Sequence, residues 1–452
     1  MKGNFSSTTG KIILTTLVFV LSIAHSFSES VALAWDASPS PNIVGYTVSY
    51  GNKSGVYSSQ VDAGNQTSVV VEGIDRGMSY FFVVMARSFD GGISLPSNEV
   101  NLPAQTIESV TGTYNALFTG PLPEQKSGFF TLKKGSRASF TGSIKLDGKQ
   151  FSFSGKFDST GFAEIAVKRQ GSSPLTLQLN LAPSNPDRLA VVLSDAWTIE
   201  FSADQTDFNS VNNSAPYAGK YTIALANATV EASSPELARP APIDSSPEGI
   251  GFATVRVIPN GLVRVLGNLG DGEKFLQSTF VSNDGTWPCY VPVYKKAGLI
   301  SGLLTFQPGE VDPRGNLTWK KPAVSKHRFY PAGFSTSVAV VGSPYIAPAT
   351  LTNRVVNVAN GTFILDGSNP AGGLAKDVIL LPNNRIVPVT PGEDRLTVKI
   401  KKDVGTFTGS IKLPGHGRPV KFIGGFLQNQ NAGYGLFLGA QQSGQLIFES
   451  TE

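Results

Sequence analysis

The sequence predicts an all-β chain, with an N-terminal β-sandwich followed by antiparallel meander β-barrel-like modules. Three observations carry this. The 452 residues include 48 Gly and 29 Pro but only 15% charged residues. That composition suits many short strands joined by tight turns, and does not suit long surface helices. Apolar residues recur with period two, as in Val31, Leu33 and Trp35 or Tyr46, Val48 and Tyr50, the alternation of half-buried strands. Hairpin signals such as Asp147-Gly148 and Gly171-Ser172-Ser173 punctuate the chain at short intervals.

The N-terminal segment is expected to be a signal peptide. Lys2 and Lys11 form a basic start, Ile12 to Ile23 is an uncharged apolar run of 12 residues, and Ala24-His25-Ser26 offers small residues at the −3 and −1 positions. This is the pattern of a secretory signal peptide, expected over residues 1–28. A transmembrane helix needs about 20 residues, so the run is short for an anchor; an uncleaved anchor is the alternative. No Cys follows the run to carry a lipid, and no later stretch is long and apolar enough to span a membrane. The net charge of +4 falls to +2 once Lys2 and Lys11 are removed. That is too small to imply a nucleic-acid partner. The single cysteine, Cys289, excludes an intramolecular disulfide, so each domain must stand on its own core.

The next strands are expected at Val31–Asp36, Tyr46–Tyr50, Val56–Val61, Gln66–Glu72, Tyr80–Arg87 and Ser97–Leu102. Within them, Trp35 is a core Trp of an early strand and Tyr46 lies on the next. Ile74, Gly77 and Tyr80 are spaced as in an L-x-P-G-x-x-Y corner, and Ser97-Asn98-Glu99-Val100 forms the closing strand. On these residues the segment 29–103 resembles a fibronectin type III domain. Two positions depart from that pattern: Ile74 stands for the usual Leu, and Arg76 where Pro is common. The resemblance implies a spacer or recognition module. It also implies that Tyr80 is the corner tyrosine, its hydroxyl bonded back to the backbone. No Arg-Gly-Asp tripeptide is present.

The remaining chain contains an internal echo. Phe140 to Leu146 (FTGSIKL) recurs unchanged as Phe407 to Leu413. The first copy continues through Asp147-Gly148 to Phe151, Phe153, Gly155 and Phe157, and the second through Pro414 to Gly417 to Phe422, Gly424 and Phe426. Val263 to Leu269, followed by Asp271-Gly272, is a weaker middle copy. Gly112-Thr113-Tyr114, Gly219-Lys220-Tyr221 and Gly361-Thr362-Phe363 each open an upstream strand. Three related modules are therefore expected, at 104–215, 216–343 and 344–452. In the first, strands are expected at Gly112–Thr119, Gly128–Lys133, Ala138–Leu146, Lys149–Phe157, Gly161–Lys168, Leu175–Leu181, Arg188–Leu193 and Trp197–Ala203. A meander of this kind closes into a barrel or packs as a sandwich, and closure removes exposed edges.

The Gly/Phe-rich ending Gly433 to Gly439, followed by Gln445 to Glu449, resembles the C-terminal barrels of bacterial surface lipoproteins that bind host transport proteins. The whole region resembles modules of uncharacterised exported bacterial proteins. An outer-membrane barrel is disfavoured, because many strands are shorter than the required 9–11 residues and carry Lys within them (Lys145, Lys156, Lys399, Lys401). Pro103 to Thr111 and the Pro/Ser/Ala-rich Glu231 to Glu248 read as a connector and a long mobile loop.

Motifs that carry chemistry are few. Beyond the signal segment the histidines are His327 and His416, with no His-x-x-x-His or Glu-x-x-His pair, so no metal site is expected. There is no Gly-x-Ser-x-Gly elbow, Walker loop or Rossmann fingerprint, so no catalytic residue and no cofactor is expected. Cys289, in Trp287-Pro288-Cys289-Tyr290, reads as a buried thiol. Asn283-Asp284-Gly285 and Asp312 to Gly315 are single-acid turns without calcium-loop spacing. Trp287, Tyr290, Tyr294 and Trp319 are aromatics that either stack sugar rings as a ligand platform or fill the core of the middle module. The expectation is an exported, non-catalytic protein, secreted or at the cell surface, with a structural, adhesive or protein-interaction role. A carbohydrate-binding protein using the aromatic platform is the alternative, and an enzyme of unrecognised type is a third.

Overall fold

The computed structural model describes residues 12–13, 29–120, 127–227, 246–307, 310–350, 353–367, 373–392, 394–413, 417–439 and 442–451. Most of the expected signal segment, most of the Glu231 to Glu248 stretch, and His416 lie outside the described residues. The fold is all-β: a sandwich followed by three nearly closed eight-stranded antiparallel sheets.

In the sandwich, Glu29–Trp35 pairs with Ser68–Ile74, and Ile12–Ile13 pairs with the Ala34–Trp35 end of the same strand. The opposing sheet has the order Ser59–Gly64, Ile43–Gly51, Tyr80–Ser88, Val100–Leu102. Alternation decides which side chains meet between the sheets: Val31, Leu33 and Trp35 are buried, as are Tyr46 and Val48 opposite them. Trp35 and Tyr46 meet edge to face, with ring centroids 5.6 Å apart. The Tyr80 hydroxyl accepts the backbone N–H of Asp75 at 3.2 Å, the corner that the fibronectin resemblance implies. The connector after the sandwich is packed down. Ile107 and Val110 are buried, and the Gln105 N–H donates to the Arg76 carbonyl at 2.7 Å. The buried Lys134 ammonium donates to the carbonyls of Val110 and Gly135, each at 2.8 Å.

The first of the three sheets contains Gly112–Thr119, Ser127–Lys134, Ser139–Leu146, Lys149–Lys156, Phe162–Arg169, Ser172–Asn180, Arg188–Ser194 and Thr198–Thr206. Each expected strand is present, with ends shifted by a few residues, because hairpin signals and alternation are local properties. Leu177 pairs with Leu193 and Leu179 with Val191, all buried on the inner face.

The middle sheet contains Gly219–Asn227, Gly251–Val257, Leu262–Asn268, Lys274–Phe280, Thr286–Val293, Gly298–Gln307, Glu310–Lys321 and Phe334–Pro344. Its first strand pairs with both its second and its last, so the sheet curls until only the seam between the fourth and fifth strands lacks a ladder. The fifth strand, TWPCYVPV, explains the seam. Pro288 and Pro292 pair with Leu303 and Leu299 of the sixth strand. Proline has no N–H, so it is accommodated only where the ladder does not need one. The seam side of the strand is thereby left without two donors. The Gln277 side chain reaches over from the fourth strand and donates to the Pro288 carbonyl at 3.3 Å.

The third sheet contains Asn360–Gly367, Leu374–Leu380, Ile386–Pro388, Thr397–Lys401, Thr406–Ile411, Val420–Leu427, Ala432–Leu438 and Ser443–Ser450. Its seam falls between the third and fourth strands. The connecting segment there is pinned by Lys376, whose ammonium lies 2.6 Å from Asp394 and donates to the Thr390 carbonyl at 2.7 Å. The interior is a phenylalanine cluster, with Phe363, Phe407, Phe422, Phe426 and Phe448 in mutual ring contact.

The structure revises the expected equivalence of the two FTGSIKL copies. The first lies on the third strand of its sheet, and the second on the fifth strand of its own. What they share is a hairpin. In both, a Phe ring of the motif lies against a Gly on the next strand: Phe140 against Gly155, and Phe407 against Gly424.

The middle and third sheets also meet. Outward-facing Ala224, with Ile250, packs against Leu427, and the Thr222 hydroxyl donates to the Phe426 carbonyl at 2.6 Å. The strand Gly219–Asn227 is thus buried on both faces, and its outward positions are the small residues Thr222, Ala224 and Ala226.

Candidate functional site

The expected platform residues all lie on or beside two strands of the middle sheet. Along Thr286–Val293 the alternation sends Trp287, Cys289, Val291 and Val293 into the barrel. Trp287 is 0% exposed and stacks on Phe306 at 6.1 Å between centroids. Tyr290 points the other way yet is only 3% exposed, because its ring stacks on Phe129 at 6.1 Å. Trp319, on Glu310–Lys321, is 2% exposed and meets Phe334 edge to face. Tyr294 follows the fifth strand in the turn and is 7% exposed. The four rings therefore share no common face, and none presents one to solvent.

Two of the four do belong to one polar cluster. The Tyr294 hydroxyl donates to an Asp271 carboxylate oxygen at 2.6 Å and accepts the Trp319 indole N–H at 3.1 Å. The Lys321 ammonium lies 3.1 Å from the same Asp271 oxygen and 4.6 Å from the centre of the Tyr294 ring. The Tyr294 backbone N–H donates to Glu273 at 3.0 Å. Burial first, and then the Asp271 charge, push the Tyr294 hydroxyl far above the ordinary tyrosine range, so it stays a donor. The cluster closes one end of the barrel. In the sequence Asp271 is legible only as the turn of the middle repeat copy, and Lys321 carries no motif, yet Lys321 is in phase with inward-facing Leu317 and Trp319. A charge at an inward position is the signal of a buried partner.

The other candidate groups stand apart. Cys289 is buried, and burial pushes its thiol up to about 12, which suppresses thiolate character. The exposed His327 ring lies 6.3 Å from that of Tyr294. Asp284 accepts the Thr286 N–H of its own turn, and Asp312 accepts both contacts from the Asn429 amide at 3.0 Å. Among the described residues, no group of His, Cys, Asp or Glu is arranged to hold a metal ion.

A cleft of about 430 Å³ opens beside the third sheet, lined by Asn353, Arg354, Asn357, Gln428 and Asn431 among others. Its amides serve the fold. Gln428 donates to the carbonyls of Ile346 and Val355 at 2.9 and 2.8 Å and accepts the Ile346 N–H. Asn431 accepts the Asn357 N–H at 2.8 Å. Arg354 donates through Nε to the Leu380 carbonyl at 2.6 Å.

Comparison with known families matches residues 20–102 to the fibronectin type III domain. The match begins inside the segment expected as a signal peptide. No curated protein matches the chain. Among solved structures, the intact Ap-TbpB with its N and C lobes is similar at 11% identity, covering 90% of this chain and 95% of that one, with a TM-score of 0.18. A mutant of transferrin binding protein B from Haemophilus parasuis Hp5, a vaccine antigen, is similar at 10% identity, covering 97% and 99%, with a TM-score of 0.19.

Proposed function

We propose that this protein is an exported, non-catalytic recognition protein. The fibronectin-type sandwich serves as spacer or docking module, and the outer surfaces of the barrel modules carry the partner-binding sites. One observation carries the reading: the middle and third barrels are filled. Trp287, Trp319, Phe306 and Tyr221 occupy the interior of the middle one, and six phenylalanines that of the third. A packed barrel of this size encloses no ligand, so specificity rests on exposed rims and faces. The signal-type N-terminus supports export.

The test is binding of the purified full chain to intact cells and to extracellular matrix. Saturable binding that protease treatment of the target surface abolishes is expected. Absence of saturable binding to any cell, matrix or surface protein overturns the reading. N-terminal sequencing of the exported product is expected to begin between residues 27 and 29.

A further inference from the structure

We propose that the end of the middle barrel built around residues 294–296 is a docking site for an acidic protein surface. The proposal deepens the recognition role above and rests on it. Tyr294, Lys295 and Lys296 have φ values of 51°, 56° and 73°. Three consecutive left-handed residues, none of them glycine, cost roughly 1–2 kcal/mol each. Glycine or asparagine would relieve that strain, and backbone outliers of this kind cluster at functional sites. The cluster below holds the turn in place: Glu273 accepts the Tyr294 N–H, Asp271 accepts its hydroxyl, and Lys321 lies over its ring. The consequence is that Lys295 and Lys296 project outward and are exposed.

Further cations gather at the same end. Leu299, just after the turn, pairs with the exposed Lys320. The 322–333 connection brings His327 beside Tyr294 and carries exposed Lys326 and Arg328 on either side of it. Of the acids nearby, Asp271 is held by Lys321 and Tyr294, and Glu273 by the Tyr294 N–H; exposed Asp147 lies in the turn whose Gly148 packs on Lys296, and the Glu248 charge acts on Tyr330, two acids against five exposed cations. The exposed face is basic in a chain whose net charge is only +4.

The kind of cation favours a carboxylate-bearing protein partner. Four of these five exposed charges are lysines, compact point charges on flexible stems that suit scattered carboxylates. Phosphate and sulfate groups favour the bidentate guanidinium fork. The one guanidinium, Arg328, donates to the Gly439 carbonyl at 3.2 Å and lies over the Phe329 ring. Nucleic-acid single strands need exposed aromatic platforms, and the Tyr294 and Trp319 rings are buried.

The experiment measures binding of the full chain to poly-L-glutamate, to dextran sulfate and to vesicles of anionic phospholipid, at low and at high salt. Poly-L-glutamate is expected to bind best, with affinity falling at least tenfold at high salt and at least tenfold in Lys295→Glu/Lys296→Glu/Lys320→Glu. Lys295→Gly/Lys296→Gly relieves the left-handed strain, so it is expected to melt at the same or a higher temperature yet lose a similar share of binding. Tighter binding to dextran sulfate or to vesicles overturns the proposal, as does unchanged poly-L-glutamate binding in either variant. If the variants still bind cells with unchanged affinity, this site is overturned while the recognition role stands. If the wild-type chain binds poly-L-glutamate but no cell or matrix, the recognition role fails instead.

Discussion

The ring of Phe407 lies across Gly424 on the neighbouring strand, so close that a Cβ on Gly424 would stand 2.3 Å from its Cζ. The pair is reciprocal. Two residues on, Phe422 covers Gly409, where a Cβ would stand 2.2 Å from the ring. Glycine in a strand exposes backbone and loses packing, and an aromatic laid across it from the opposite strand restores both. The echoed FTGSIKL motif is in this light a Phe–Gly hairpin that serves two different places in two sheets.

Adding a methyl group at these glycines is therefore expected to destabilise the chain unequally. At Gly424 a Cβ meets the Tyr434 carbonyl as well as the Phe407 ring, whereas at Gly155 it meets only side chains, Phe140 Cζ at 2.8 Å and Ile165. Overpacking costs roughly 1–3 kcal/mol, so Gly424→Ala should lie near the top of that range and Gly155→Ala near the bottom. Urea unfolding of the two variants checks the order.

The buried pair between Asp271 and Lys321 sets a second expectation. Their side chains are 2% and 4% exposed, respectively. Lys321→Met leaves a buried carboxylate without its cation and should cost about 3–5 kcal/mol. Combining it with Asp271→Asn, which still accepts the Tyr294 hydroxyl, should recover most of the loss. A double-mutant cycle measured by thermal unfolding reads the coupling.

Alkaline pH is expected to unfold this protein through its buried hydroxyls. Burial pushes Tyr221 and Tyr345 up to about 12. Unfolded tyrosines ionise near about pH 10. The folded groups stay protonated above that, so their contribution is fully present below about pH 10 and lost as pH rises toward 12. The melting temperature should fall across that window, and less steeply in Tyr221→Phe.

At the seam of the third sheet, the Lys376 ammonium is a side-chain tie between the connecting segment and the second strand. Lys376 holds both Asp394 and the Thr390 carbonyl. Lys376→Met should release the connecting segment and speed amide exchange at Ile386–Pro388 and Thr397–Lys401, while Val420–Leu427 keeps its protection. Equal loss of protection in all three strands would show that the seam is not a local closure.

Much of the fold was legible because strand alternation and turn chemistry are local. Gly112–Thr119 and Arg188–Ser194 match their expected spans within a residue, and the spacing of Ile74, Gly77 and Tyr80 marks a corner whose hydrogen bond joins residues only five apart. The site was less legible. The Trp287, Tyr290, Tyr294 and Trp319 group is dense in aromatics, but composition does not tell a platform from a core. Which side of the fifth strand is covered depends on Phe129, far away in the chain.

By itself, then, the sequence determined the element types, the sandwich corner and the meander order, because each follows from the period of the pleat and from the residues that permit tight turns. Only the tertiary structure decided which faces are buried and which charges pair. Asp271 meets Lys321 across 50 positions, and Thr222 meets Phe426 across 204. Such meetings follow from how the sheets curl and pack, and no local pattern encodes them. For the same reason the two FTGSIKL copies share a hairpin but not a place: pairing of Phe with Gly is written in the motif, while the strand's position in its sheet is set by the long-range ladder around it.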